Sequence, residues 1–196
     1  MSRKYVHGNR NCGYATINTS TTPASFNTPV MLPGMVSGSV EIDQDSEEIY
    51  ADNKVWVSAK GAKVRTLEIG FRYLDPTYMG LLGFKHAGND IWTDTGTFVP
   101  HALFFEETVE DGETGDVTHR LHIFYNCTGS EPELETETDE DGIEAREIKV
   151  SYSCLESTFV KDTDNEYCQY AWIERTNANA ALYDTFQSTI LVPAAQ

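Results

Sequence analysis

Four glutamates at alternating positions, Glu131, Glu133, Glu135 and Glu137, lead into Asp139-Glu140-Asp141-Gly142. Residues two apart in an extended strand share a face. The four carboxylates would therefore form one negative stripe, with Leu134, Thr136 and Thr138 turned the other way. Such a stripe can repel an anion, gather cations or face water on one side of a solvated hairpin. Calcium chemistry needs a stricter spacing: Asp139-Glu140-Asp141-Gly142 opens like a calcium loop, but Ile143 stands at the fifth ligand position and no glutamate closes the loop twelve residues along. Asp162, Asp164 and Glu166 repeat the alternation and read as a solvated turn. His119 and His122 lie three apart, which on a strand sends them to opposite faces and argues against a shared metal. Neither a G-x-S-x-G elbow, a phosphate-binding glycine loop nor H-E-x-x-H occurs. No catalytic, cofactor-binding or metal-ligating residue is assigned, and an enzyme is the remotest reading.

The charge is strongly acidic and local. Of 196 residues, 31 are Asp or Glu against 14 Lys or Arg, a formal charge of -17. Residues 106–116 hold six acids and no base, and residues 131–147 hold nine acids beside Arg146. A surface of this sign repels nucleic acid, because DNA binding needs Lys and Arg to displace condensed counterions. Two basic residues near the N-terminus are followed by no apolar h-region, and no run of about 18 apolar residues occurs, so neither a signal peptide nor a membrane anchor is expected. Cys12, Cys127, Cys154 and Cys168 show no C-x-x-C spacing and are expected as reduced thiols. The sequons at Asn18 and Asn126 carry little weight without a secretory signal.

The elements that would position these groups are mostly strands. Residues 1–36 are polar and broken by Pro23, Pro29, Pro33 and Gly34, and read as an arm or long loop. A β core is expected over 37–175, opening with three or four antiparallel strands through Val40, Ile42, Ile49, Tyr50, Trp56, Leu67, Ile69 and Phe71. Asp75-Pro76 supplies an N-cap and a first-turn proline for a short helix near 76–83. Strands return at 101–109, 118–127 and 143–157, the first two flanking an acidic turn at Asp111-Gly112-Glu113. A last strand falls near 167–173. A C-terminal helix or arm occupies 176–196, with Leu182 and Phe186 at i, i+4. The expected fold is mainly β, a sandwich or partly closed barrel in one domain, with a short helix packed on it and extended terminal arms.

In order and spacing, residues 38–160 resemble the major tail tube proteins of bacteriophages with long, non-contractile tails. The resemblance is carried by Ile49-Tyr50-Ala51-Asp52-Asn53-Lys54, by Leu67-Glu68-Ile69-Gly70-Phe71, and by Asp75-Pro76 with Leu81-Leu82-Gly83. It continues through His119 to Cys127, Pro132 and Glu137-Thr138-Asp139. It implies hexameric rings stacked into the tail tube of the virion, assembled in the host cytoplasm around a β-lined channel for genome ejection. It also implies partners: other copies of the chain, a tape-measure protein, and distal tail and tail terminator proteins. No cofactor is implied. Six subunits with four strands each would give 24 strands about 4.8 Å apart, a circumference of roughly 115 Å, wide enough to pass duplex DNA.

On this reading Glu131, Glu133, Glu135 and Glu137, or the early strands, are candidates to line the channel, where carboxylates let DNA slide without specific binding. An outward-facing solvated hairpin remains the alternative for the stripe. The loop Asp43-Gln44-Asp45-Ser46-Glu47-Glu48 is the candidate contact between rings. Other functions remain open: a tail terminator, distal tail or decoration protein, or an acidic β-sandwich binding calcium or carbohydrate. Trp56, Trp92 and Trp172 could be sugar platforms, although their apolar neighbours place them in the core.

Overall fold

The computed structural model describes residues 3–44, 46–51, 53–61, 63–133 and 146–193. Its centre is the pair β10 (His101–Asp111) and β11 (Val117–Gly129), joined through the Asp111 turn in the register expected for a hairpin. Asp111 Oδ1 accepts from the Glu113 N–H at 2.9 Å, so the acidic turn is braced by its own first carboxylate. Every residue from His101 to Glu106 is buried. Both faces of this pair are therefore covered, each by a different core.

On one face Leu103, Phe105, Phe124 and Cys127 meet Leu67, Ile69 and Phe71 of β7 (Val64–Phe71) and Val150, Tyr152 and Cys154 of β12 (Ile148–Cys154). A period of two made those two strands legible, strictly so in β12: Val150, Tyr152 and Cys154 are buried while Lys149, Ser151 and Ser153 are exposed. β4 (Met35–Asp43) pairs with β7 and ends that sheet, so β12, β7 and β4 form the second layer of a sandwich. On the other face Ala102, Phe104, Leu121, Ile123 and Tyr125 are covered by Tyr183, Phe186, Ile190 and Leu191 of the C-terminal segment. The sheets do not close into a barrel.

β11 divides its free edge between two partners. Residues 120–124 pair with β13 (Tyr170–Glu174), and Cys127, Thr128 and Gly129 pair with β12. That three-residue ladder joins the backbones of the two layers of the sandwich, and it is extended by the Leu155 N–H to the Asn126 carbonyl and the Ser130 N–H to the Ser151 carbonyl. Gly129 sits there because a Cβ would run into the Leu82 side chain and stand 2.8 Å from the Tyr152 ring.

Several elements depart from the sequence expectation. Residues 4–18, read as part of an arm, form β1 (Lys4–Asn18), which pairs along β10. Register shifts between His7 and Asn9 and between Arg10 and Gly13, with positive φ at Gly8 and Asn11, break its period of two and hid it as a strand. β2 (Ser25–Phe26) and β3 (Val30–Met31) are short strands added to β1. The first helix, α1 (Pro76–Met79), is shorter than 76–83; Asp75 caps it by accepting from the Thr77 N–H at 2.7 Å. β8 (Leu82–His86) and β9 (Trp92–Phe98) then form a hairpin the sequence reading omitted. The C-terminal helix α2 (Ala180–Tyr183) ends before Phe186; Phe186 is buried but Leu182 is 57% exposed, so the expected i, i+4 pair does not form, and Tyr183 is the inward residue of the helix.

Candidate assembly surfaces

The stretch between β4 and β7 is the most conspicuous surface. β5 (Ser46–Ala51) and β6 (Lys54–Lys60) pair with each other and, among the described residues, with no other strand. The tight connection after Ala51 contains Asn53 at φ 58, a left-handed conformation that Asn tolerates. Ile49, Tyr50, Trp56 and Val57 are all exposed, Trp56 at 72% and Tyr50 at 65%. A two-stranded hairpin is marginal alone in water, and an apolar cluster of this kind marks a contact surface.

The residues expected to contact the next ring lie at the base of this hairpin. Asp43 ends β4, and the Gln44 side chain donates to the Gly61 carbonyl at 3.1 Å, closing the neck. Ser46, Glu47 and Glu48 belong to β5, where Glu48 accepts from the Tyr50 hydroxyl at 2.6 Å. Asp45 lies outside the described residues.

The channel candidates are only partly described. Glu131 and Glu133 are exposed and follow β11 as irregular backbone, not strand, while Glu135, Glu137 and Asp139-Glu140-Asp141-Gly142 lie outside the described residues. Asp94 of β9 faces Glu131, and its negative charge holds the Glu131 carboxyl above its ordinary range. The outer face of the β12–β7–β4 layer is a second acidic surface. Register places Ser39 and Glu41 of β4 beside Glu68 and Thr66 of β7, and these beside Ser151 and Ser153 of β12. Lys149 answers Glu68 at 3.4 Å, and Ser37 donates to Glu147. The face is thus built of small hydroxyls and carboxylates, with Lys149 already paired.

Two buried polar clusters hold these layers in place. His101 Nδ1 is 2.8 Å from the Val99 carbonyl, which can only accept, so Nδ1 carries the proton. Nε2 then accepts from the Tyr78 hydroxyl at 3.1 Å, and the Tyr152 hydroxyl donates to Tyr78 at 2.8 Å. This chain ties α1 and β12 to β10. Burial lowers the His101 pKa to about 4, so the ring is neutral. In the second cluster Glu106, 1% exposed, accepts from Tyr183 at 2.6 Å, from Arg10 at 3.1 Å and from Asn11. That carboxylate anchors β1 and the C-terminal segment to β10. The sequence presented it only as one acid among six.

The remaining candidates resolve into local structure. His119 and His122 do point to opposite faces: His122 stacks on Phe105 and bonds Tyr170 and Glu107, whereas Nδ1 of His119 is buried without a partner among the described residues. Burial lowers the pKa of both. Asp162 Oδ1 accepts from the N–H groups of Asp164 and Glu166 at 2.9 and 3.0 Å, the tight turn expected. The described residues contain no group of three or more His, Cys, Asp or Glu placed to hold a metal. The tryptophans correct the sequence reading, for all three are exposed, Trp56 at 72%, Trp172 at 56% and Trp92 at 39%. Trp172 packs its ring under the Arg120 guanidinium at 4.9 Å. Apolar sequence neighbours failed as a guide because these residues occupy a lone hairpin, an outer hairpin and a sheet edge.

The chain matches the family model for phage tail tube proteins over residues 1–196. It belongs to that family. No curated protein matches it. Membership gives this tail tube protein a structural role in the virion tail and self-assembly into a tube with other tail proteins. It also covers both ends of the chain, beyond the span where the sequence resemblance could be followed.

Proposed function

We propose that six copies of this tail tube protein close into a ring, that rings stack into the tail tube, and that the enclosed acidic channel conducts the genome into the host during ejection. The observation that carries this reading is the β5–β6 hairpin, which exposes Ile49, Tyr50, Trp56 and Val57 and, among the described residues, pairs with no other strand. A neighbouring copy supplies the missing cover. Among the described residues β4 ends its sheet without a further strand beside it, with Val40 and Ile42 exposed, and offers that edge to the same neighbour. The contact between rings is made by the hairpin with its neck at Asp43, Gln44, Asp45, Ser46, Glu47 and Glu48.

The outer face of β12, β7 and β4, with Glu41 and Glu68, lines the channel, joined by Glu131, Glu133, Glu135 and Glu137. Carboxylates and hydroxyls give DNA no counterion-releasing grip, so the duplex slides. Assembly takes place in the host cytoplasm around a tape-measure protein, between a distal tail and a terminator protein, without enzymatic activity. Negative-stain electron microscopy of the purified protein tests the assembly. Striated hollow tubes with six-fold end views are expected, and closed rings that never stack, or trimers, would overturn the tube.

A further inference from the structure

Cys127 and Cys154 are 27 residues apart in sequence and directly opposite across the β11–β12 ladder. The Leu155 N–H donates to the Asn126 carbonyl and the Ser130 N–H to the Ser151 carbonyl, each at 2.8 Å. Those bonds mark 126/155 and 130/151 as hydrogen-bonded pairs. Pair types alternate along an antiparallel ladder, so 127/154 is a non-hydrogen-bonded pair, the type whose Cα atoms approach to about 4.5 Å. That lies inside the roughly 4.4–6.8 Å window a disulfide needs, with both Cβ atoms on the same face. Both side chains are fully buried, and their sulfurs are in contact at 2.6 Å. Cys12 and Cys168 have no cysteine opposite them.

We propose that Cys127 and Cys154 are a disulfide-forming pair that covalently locks the seam between the two layers of the sandwich. The location gives the bond its purpose: the ladder it staples is the short run of Cys127, Thr128 and Gly129 that joins the layers. A virion tail also works outside the cell, where no reductant pool keeps thiols reduced. The chemistry is thiol–disulfide exchange with a low-molecular-weight disulfide RSSR. One cysteine thiolate attacks RSSR and releases RS⁻, leaving a mixed disulfide. The second thiolate then attacks the protein sulfur of that mixed disulfide and releases the other RS⁻. Two protein thiols are oxidised, one RSSR is reduced to two RSH, and the two cysteine protons go to the leaving thiolates. Burial pushes the Cys127 thiol well up from its ordinary pKa, so exchange runs while the seam is open, during folding or transient separation of β12.

The test is to refold the full chain from urea with oxidised glutathione or with dithiothreitol, then compare the two products. The oxidised protein should retain two of its four titratable thiols. A non-reducing digest should yield the Cys127 and Cys154 peptides joined. A closed loop of this size should raise Tm by roughly 10 °C over the reduced form. The Cys127→Ala/Cys154→Ala variant should show no difference between the two conditions. A glutathionylated chain, a link involving Cys12 or Cys168, four free thiols after oxidation, or an unchanged Tm would each overturn the proposal. The wild-type comparison decides it even if the variant does not fold.

Discussion

Replacing His101 with Gln removes one titrating group from the centre of the sandwich, and its effect can be worked out in advance. The ring is fully buried and neutral, with a pKa lowered by burial to about 4 from an ordinary 6.5. A His that resists protonation in the folded state contributes stability that is complete above pH 6.5 and is lost as pH falls from there toward 4. Between pH 7.5 and 5.0 that loss comes to about 2 kcal/mol for these two pKa values. In a chain of this length it corresponds to roughly 4–8 °C in Tm. The lower pH stays above the isoelectric point of about 4.5, near which the protein would precipitate. Other groups titrate over the same range, but their background is common to wild type and His101→Gln. The assay is urea unfolding of both proteins at pH 7.5 and 5.0, at one protein concentration. The wild type should lose about 2 kcal/mol more than the variant on acidification. Equal losses would refute the buried, neutral imidazole and the hydrogen-bond chain built on it.

Tyr183→Phe should destabilise the protein by about 1.5–3 kcal/mol by removing a hydrogen bond to the buried Glu106 carboxylate, read from the urea midpoint. Glu106→Ala should cost more, about 3–5 kcal/mol, because it strands the buried Tyr183 hydroxyl and the Asn11 amide. Gly129→Ala should cost about 1–3 kcal/mol by overpacking against Leu82 and Tyr152; a neutral result would show that the seam can widen. Tyr50→Ser/Trp56→Ser should leave protomer stability within about 0.5 kcal/mol and abolish tubes in electron micrographs, whereas normal tubes would remove the hairpin from the interface.

Much of the fold was legible because burial on one face writes a period of two into the sequence. β12 alternates cleanly, Leu67, Ile69 and Phe71 of β7 fall two apart, the β10–β11 hairpin is punctuated by Asp111-Gly112-Glu113, and Asp75-Pro76 states where α1 begins. The family was also legible, in the succession of these elements. Elements that take their order from distant partners were not. β1 is a strand because β10, about ninety residues away, pairs with it around two register shifts. Its Gly, Asn and Arg residues carry no alternation of their own.

The surfaces divide in the same way. Local spacing showed that acids cluster, that His119 and His122 diverge and that Asp162 caps a turn. Whether the tryptophans are exposed, which carboxylate among the described residues is buried, and which of four cysteines meet depends on long-range register that spacing cannot encode. Glu106 sits inside because β1 and the C-terminal segment converge on it, bringing Arg10, Asn11 and Tyr183 to its oxygens. The sequence by itself determined a mainly β, strongly acidic chain of the tail tube family, because alternation and charge are local properties. Only the tertiary structure decided which residues it hides and which it leaves for a neighbour, because burial belongs to the packed layers and not to any one strand.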